Sequence, residues 1–274
     1  MMAGKLNAIV SQRIEIAPHL IKLRVIPDGW ELPEFVPGQY AALGLPGDAP
    51  RCQSSLPEET PGPPDKFIMR AYSIASSSVS REFIEFYIAL VHTGALTPRL
   101  FTLTAGDKLW MSPKFKGMFT MSKVPNEFNI VLIATGTGVA PYMSMIRTEV
   151  TEGVRHRFAV IHGAYHSIDL GYHSELLSLD SVSKNFTYIP ILSHAHEEKI
   201  PWHGQEGFVQ KIWTHGILVK KWGVVPKPED THIFLCGNPY MIEAMTGILE
   251  KEGFKLHSRK NPGQIHTEEY IVKM

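Results

Sequence analysis

The chain has 274 residues, of which 44% are hydrophobic and 20% are charged, which is ordinary for a globular protein. This length is sufficient for two domains that each have a hydrophobic core. Lysine plus arginine and aspartate plus glutamate both total 27, so the net charge is zero, which argues against a dedicated nucleic-acid-binding protein. A local basic patch for an acidic partner is still compatible with that balance.

The sequence also disfavours a membrane-spanning protein and a protein that carries a ferredoxin-type iron–sulfur cluster. No apolar run approaches the roughly 20 residues that span a bilayer, and residues 1–10 lack the apolar centre of a signal peptide. We therefore expect a cytoplasmic protein without membrane contact. The two cysteines, Cys52 and Cys236, are too few for a ferredoxin-type cluster, which needs about four ligands. A disulfide between them is disfavoured in a reducing compartment.

The first half of the chain has the pattern of short β-strands broken by proline and glycine. Such strands with frequent turn residues favour a barrel or a sandwich. The strands are predicted at residues 6–16, 20–26, 40–45, 67–75 and 83–91. Residues 46–66 are rich in proline, glycine, serine and acidic residues, so we predict a long mobile loop there.

The pattern changes near residue 125, where strands begin to alternate with helices. This alternation implies βαβ units and a parallel sheet. Strands are predicted at 129–134, 158–162, 187–192 and 232–236, and helices at 140–152, 167–179, 207–219 and 239–253. We therefore predict two domains, residues 1–125 and residues 126–274.

A glycine-containing turn follows the first predicted strand of the second domain. Thr135, Gly136, Thr137 and Gly138 stand at the carboxyl end of that strand, just before a predicted helix. Ligands of parallel sheets bind beyond the carboxyl ends of strands, and glycines let a backbone approach a pyrophosphate at a helix N-terminus. The turn thus predicts a dinucleotide site. Because its spacing differs from G-x-G-x-x-G, a tight turn without a ligand is the alternative.

Three more short motifs occur in the chain besides the turn at 135–138. They are Arg70-Ala71-Tyr72-Ser73, Gly94-Ala95-Leu96-Thr97 and Cys236-Gly237-Asn238-Pro239. Together with the turn at 135–138, they resemble the motifs of the bacterial-type, FAD-containing ferredoxin–NADP reductase family. The resemblance covers nearly the whole chain. On the residues alone, the first string could be an ordinary strand with an exposed arginine, and the second is weak by itself.

The resemblance implies roles for individual residues at the flavin. Arg70 would pair with the flavin diphosphate, Tyr72 would line one face of the isoalloxazine, and Ser73 would lie near N5. Backbone N–H groups of the element containing Gly94, Leu96 and Thr97 would meet the phosphate oxygens.

At the nicotinamide, the resemblance places Cys236 and Gly237 close to the reacting carbon, with no covalent role for the thiol. We therefore expect Ser73, Tyr72 and Cys236 to be the side chains nearest the chemistry. Tyr270 corresponds to a terminal aromatic that stacks on the flavin. An inert buried cysteine and a plain terminal strand are the alternatives at Cys236 and Tyr270.

The fold and activity that the resemblance implies are specific. Residues 1–125 would form an antiparallel β-barrel that binds FAD, and residues 126–274 an α/β parallel-sheet domain that binds NADPH or NADH. The enzyme would transfer hydride between NAD(P)H and FAD and exchange single electrons with ferredoxin or flavodoxin, a transient partner, as a monomer. The alternatives are an NADH-dependent reductase component, a flavin or quinone reductase, and a non-catalytic flavin-binding subunit.

The chain departs from NADP-specific relatives at the positions that would hold the 2′-phosphate. Tyr165, His194 and Phe208 stand where such relatives carry arginines. His166, His194, His196 and Lys199 could substitute in part, and NADH is the other candidate coenzyme. The histidine pairs 162/166 and 194/196 do not share one helix face, so we expect no metal site.

Overall fold

The computed structural model describes residues 5–60, 62–149 and 157–270. The chain divides into two compact units. The first contains the residues up to Met121 together with Ala140–Glu149, and the second contains Ser122–Val139 and the described residues after 156. Within the described residues, no helix is both long and apolar enough to cross a membrane.

The first unit is built on one six-stranded antiparallel sheet. Its strands are β1 (Ala8–Ala17), β2 (Leu20–Pro27), β3 (Tyr40–Pro46), β4 (Phe67–Ser73), β5 (Ile84–Ala89) and β6 (Lys108–Met111), in the spatial order β4-β3-β6-β1-β2-β5. A bridge between Ile74 and Phe86, and a hydrogen bond from Ala75 N to Glu85 O (2.8 Å), join the two outer strands. The sheet therefore closes on itself, and the predicted antiparallel barrel is confirmed.

The barrel is filled by alternate side chains of its strands. Val10, Leu23, Leu43, Phe86 and Met111 are almost completely buried in one apolar cluster. Successive side chains of a strand point to opposite faces, so an apolar residue at every second position is enough to line the interior. Burial of that lining is the main favourable contribution to the stability of the barrel.

Two helices belong to the first unit, α1 (Thr97–Leu100) and α2 (Ala140–Glu149). Arg147 of α2 donates from Nη1 to the Ala75 carbonyl and to Glu85 Oε1, both at 2.8 Å. Glu85 is fully buried, and its other oxygen accepts from Arg24 Nε at 2.8 Å. A buried carboxylate is tolerated when cations and hydrogen bonds compensate it, as two guanidinium groups do here.

The second unit is a six-stranded parallel sheet with helices. Its strands are β7 (Asn129–Thr135), β8 (Phe158–Ala164), β9 (Phe186–Leu192), β10 (Gln205–Glu206), β11 (Thr231–Gly237) and β12 (Ile265–Glu269), ordered β10-β9-β8-β7-β11-β12. From β7 the chain builds outward on one side and then returns to add β11 on the other. The carboxyl ends of β7 and β11 are therefore the topological switch point, where ligands of such sheets bind.

The helices of this unit differ in part from their predicted extents. They are α3 (His173–Val182), α4 (Val209–Thr214), α5 (Ile217–Trp222) and α6 (Pro239–Lys251). The single helix predicted over residues 207–219 is wrong, because Gly216 adopts a left-handed conformation (φ 63°) and separates α4 from α5. Glycine takes this conformation without steric cost.

A stack of rings lies on β11 and the edge strand β12 of the parallel sheet. His266 stacks on Phe234, with ring centroids 4.3 Å apart, and shares a 2.9 Å hydrogen bond with His232. Burial, and then the neighbouring His257 and His232, lower the pKa of His266 to about 3. Both His266 and His232 are thus neutral at physiological pH, and the folded state opposes their protonation.

Replacing His266 with glutamine should make stability less sensitive to acid. The unfolded histidine takes up a proton near pH 6.5 but folded His266 only near pH 3, so stability is lost as the pH falls below about 6.5. The slope from one such group reaches about 1.4 kcal/mol per pH unit. Denaturant unfolding between about pH 7 and pH 5 should show a smaller loss for His266→Gln than for wild type or for His203→Gln, an exposed control. Equal losses would contradict this assignment.

Candidate functional site

The arginine–tyrosine–serine string lies on β4, at the end of the barrel sheet. Arg70 is exposed, and among the described residues its guanidinium bonds only the Met69 carbonyl (2.8 Å). Tyr72 packs edge-on against Phe86, with centroids 6.5 Å apart, and burial raises the pKa of its phenol. Ser73 is buried. Arg70 is therefore available to an anion, and Tyr72 is a neutral ring fixed against the barrel.

The Gly94–Thr97 string forms a tight loop before α1. The Thr97 hydroxyl accepts from Val91 N (3.0 Å), and a Cβ on Gly94 would lie 2.9 Å from the Val91 carbonyl. Thr97 thus holds the loop closed with its side chain. The amide groups of Ala95, Leu96 and Thr97 donate no hydrogen bond to any described residue.

These observations test whether the first unit fits a flavin diphosphate. An exposed guanidinium without an acidic partner and three consecutive unused amides are the donors that phosphate oxygens accept from. The residues present therefore fit the group. The contacts of Arg70, Tyr72, Ser73, Gly94, Leu96 and Thr97 with FAD stay predictions.

In the second unit, the turn after β7 meets the end of β11. A Cβ on Gly138 would collide with the Cys236 carbonyl, and one on Gly237 would collide with Thr135. Asn238 N donates to Thr135 Oγ1 at 2.9 Å. Glycine at both positions allows the two strand ends to touch. Gly136 (φ 54°) faces open space, and Thr137 is half-buried, so the outer side of the turn is accessible.

His162 hydrogen-bonds the backbone of this turn, a role that the sequence did not predict. Its Nε2 donates to the Gly136 carbonyl at 3.0 Å, while Nδ1 has no partner among the described residues. Burial lowers the pKa of His162 to about 4, so the ring is neutral and carries its proton on Nε2. The only sequence signal was a polar residue at the end of an apolar strand.

Cys236, Gly237 and Tyr270 are brought together at the end of β11. Tyr270 N donates to the Gly237 carbonyl (3.2 Å), and its side chain hydrogen-bonds the Cys236 thiol. Burial, followed by the Glu268 carboxylate, raises the pKa of that thiol well above its usual range. The thiol is thus neutral and unreactive. Stacking of Tyr270 on the flavin stays a prediction.

The edge beyond β8 and β9 carries the positions where arginines were expected. Tyr165 and Phe208 are exposed, and the ring of Tyr165 lies 5.1 Å from that of His194. His194 also shares a 2.8 Å hydrogen bond with Ser193 Oγ. This edge is therefore aromatic, with imidazoles in place of guanidinium groups.

Carboxylates lie beside these imidazoles. His166 is 3.7 Å from an oxygen of Glu197 and 3.7 Å from one of Glu198. Glu198 accepts from Ser167 N and Ser167 Oγ, each at 2.7 Å, and these bonds lower its pKa. The edge therefore holds fixed negative charge.

The comparisons with known proteins agree with this geometry. A family model described as the oxidoreductase NAD-binding domain matches residues 132–247. The ferredoxin–NADP reductase of Pseudomonas aeruginosa is 29% identical over 249 residues, 87% of this chain and 88% of that protein. A Neisseria gonorrhoeae ferredoxin NADP+ reductase, solved with bound FAD and NADP, has a TM-score of 0.79 at 21% identity and covers 96% of this chain and 97% of its own. The chain is therefore similar to ferredoxin–NADP reductases over most of its length.

Reductases with other partners are also similar to this chain. The reductase component of propane 2-monooxygenase from Mycolicibacterium goodii is 29% identical over 236 residues, 84% of this chain but 59% of that longer protein. The NAD-binding match at residues 132–247 includes both the turn at 135–138 and Cys236-Gly237. The match therefore covers both segments for which a dinucleotide contact is predicted, and those contacts stay predictions.

Arg70→Ala should weaken FAD binding in this protein. Removing a charge-assisted contact costs about 1.5–3 kcal/mol, or about ten- to hundredfold in the dissociation constant. Titration of the apoprotein with FAD measures the effect, and Arg81→Ala, at another exposed arginine of the first unit, is the matched control. Unchanged affinity and full flavin occupancy in Arg70→Ala would show that this arginine does not hold the cofactor.

Thr137→Trp should block reduction by NAD(P)H while FAD remains bound. Thr137 lies on the accessible side of the turn, so a large ring there would fill the space that the nicotinamide needs. Rapid-mixing reduction of the FAD-loaded protein is the measurement, with Thr137→Ser as the size-conserving control. Reduction of Thr137→Trp at the wild-type rate would rule out this placement.

Proposed function

We propose that the chain is an FAD-dependent oxidoreductase that transfers hydride between NAD(P)H and FAD and exchanges single electrons with ferredoxin or flavodoxin. One observation carries the proposal. The same chain contains a barrel with unused donors for a flavin diphosphate and a parallel sheet with a glycine-closed turn at its switch point. The comparisons with ferredoxin–NADP reductases support the same reaction.

In the first unit, protein groups would bind and orient the flavin. Arg70 and the amides of the loop before α1 would hold the diphosphate, and Tyr72 would present its ring to the isoalloxazine. Ser73, buried on the same strand, would lie near the reacting atom. When bound, FAD supplies a two-electron acceptor that can release its electrons one at a time, which a nicotinamide cannot do.

In the second unit, protein groups would position the nicotinamide dinucleotide. His162 fixes the Gly136 carbonyl and hence the turn that carries Thr137. Cys236 would lie close to the nicotinamide, behind the turn, and its neutral thiol would not compete as a nucleophile. In a cofactor enzyme, the cofactor carries the chemistry, and the protein positions the reacting groups and excludes water.

The proteins similar to this chain differ in the electron partner that their names give. Ferredoxin or flavodoxin follows from the names of the relatives that the chain covers most fully. A reductase component for an oxygenase is the second candidate, favoured by the Mycolicibacterium goodii relative. We propose a monomer in the cytoplasm that meets its carrier transiently.

A direct assay separates the candidates. Cytochrome c reduction by NAD(P)H should depend on added ferredoxin or flavodoxin if our proposal is correct. Turnover of free flavin at low concentration would instead favour a flavin reductase. A purified protein that is yellow but not bleached by NAD(P)H would refute catalysis and leave only a flavin-binding subunit.

The edge beyond β8 and β9, with Tyr165, His166 and His194, favours NADH over NADPH. A 2′-phosphate needs fixed cationic donors, but Tyr165 offers a neutral hydroxyl, and Glu197 and Glu198 add negative charge beside His166. A ribose 2′-hydroxyl, in contrast, can donate to a carboxylate, as in NAD-specific sites of other folds. We therefore propose that selection for NADPH over NADH is weak or reversed.

Kinetics with both coenzymes test this preference. We expect an NADPH to NADH ratio of kcat/KM that is small or below about one, and that rises at lower pH only if imidazoles bind the phosphate. Tyr165→Arg should raise the ratio by about tenfold or more through a charge-assisted contact. Val182→Arg, at an exposed position at the far end of α3, controls for added charge alone. A wild-type preference for NADPH above about a hundredfold, unchanged with pH, would contradict the proposal.

A further inference from the structure

The long loop between β3 and β4, residues 47–66, is fastened to the segment before and within α1. We define it as the β3–β4 loop; its residue 61 lies outside the described residues. Cys52 N donates to the Pro98 carbonyl and Leu56 N to the His92 carbonyl, both at 3.0 Å. The composition of the loop predicts a mobile segment, but these long-range bonds hold it in one place.

Two arginines strengthen this attachment. Arg51 donates from Nη1 to the Gly94 carbonyl (2.9 Å) and from Nη2 to the Leu56 carbonyl (2.8 Å). Arg99, only 2% exposed, donates from Nη1 to the Ala95 carbonyl at 2.6 Å and from Nη2 to the Gly47 carbonyl. Each arginine therefore joins the β3–β4 loop to one carbonyl of the Gly94–Thr97 string.

Glu58 is the acid that both arginines share. Its Oε1 accepts from Arg51 Nη1 (2.9 Å) and Arg99 Nη1 (2.8 Å), and its Oε2 accepts from Arg99 Nη2 (2.7 Å). Without this carboxylate, two guanidinium groups would lie side by side in a largely buried place with no counter-charge. Leaving a buried charge unpaired is strongly unfavourable, so both arginines depend on Glu58.

The geometry of the peptide bond connects this cluster to the unused amides. In a trans peptide, the C=O and the N–H of the next residue are held in one plane and point in opposite directions. The bond from Arg51 to the Gly94 carbonyl thus fixes the direction of Ala95 N–H, and the bond from Arg99 to the Ala95 carbonyl fixes that of Leu96 N–H. Both N–H groups point away from the arginines, and neither donates to a described residue.

We propose that Glu58 is a positioning residue for the flavin diphosphate. By holding Arg51 and Arg99 on the carbonyls of Gly94 and Ala95, it presents the N–H groups of Ala95 and Leu96 to the phosphate oxygens. The β3–β4 loop is then part of the flavin site without touching the isoalloxazine. This inference rests on the proposed FAD site.

The test compares Glu58→Gln with Glu59→Gln, a change of the same type at the exposed neighbouring residue. Titration of each apoprotein with FAD should give about tenfold or greater weakening for Glu58→Gln and no change for Glu59→Gln. In the FAD-saturated proteins, the diphosphate signals in phosphorus NMR should shift in Glu58→Gln only. Arg51→Lys, a milder change that keeps the charge, should weaken FAD in the same direction if Glu58→Gln does not fold.

The outcomes are distinguishable. Glu58→Gln with a lowered unfolding midpoint but wild-type FAD affinity and unshifted phosphorus signals would overturn the inference, because the cluster would then be purely structural. Wild-type affinity in Arg51→Lys would also overturn it. If wild-type protein itself does not bind FAD, the proposed function fails and not only the role of Glu58.

Discussion

The carboxyl ends of β7 and β11 can lie in contact because glycine stands at both points of closest approach. Any side chain at Gly138 would overlap the Cys236 carbonyl, and any at Gly237 would overlap Thr135. That contact exposes the outer side of the turn at 135–138, while Cys236 is completely buried behind it. Burial in turn keeps the thiol neutral and His162 uncharged beneath the turn. The shape of the proposed dinucleotide site therefore depends on glycine at positions 138 and 237.

In the first unit, two carboxylates are paired with arginines, whereas one exposed arginine has no acidic partner among the described residues. The buried Glu85 is compensated by two arginines, and the partly buried Glu58 by two others. Arg70, in contrast, is exposed and has no acidic partner among the described residues. An exposed guanidinium without an acidic partner among the described residues, together with backbone amides that donate to none of them, is the kind of group that binds an external anion. In the proposed function, the flavin diphosphate is the anion that Arg70 and the amides before α1 would bind.

Much of the fold was predictable because its signals are local. Strand–helix alternation after residue 125 predicts the parallel sheet, and short strands with frequent turns are typical of the barrel. The break at Gly216 was not predicted, because a glycine within a helical pattern does not reveal whether it adopts a left-handed conformation. The strands β6 and β10 were missed because four- and two-residue strands carry almost no periodic signal.

The candidate site was predictable where a string of neighbouring residues carries it, as at 70–73, 94–97, 135–138 and 236–237. It was not predictable where the contacts join distant parts of the chain. Glu58 and Arg99 are separated by 41 residues, and His162 and Gly136 by 26. Neither pair has a spacing that sequence patterns can detect, since each depends on the completed barrel or sheet.

The central claim is that hydride passes between a nicotinamide bound by this chain and a flavin bound by it. The most direct measurement is anaerobic single-turnover mixing of the FAD-loaded protein with NADH and with NADH deuterated at the transferred position of C4. The account predicts rapid bleaching of the flavin that is slower with the deuterated coenzyme. A flavin that binds tightly but is not bleached by NADH or NADPH would contradict the account.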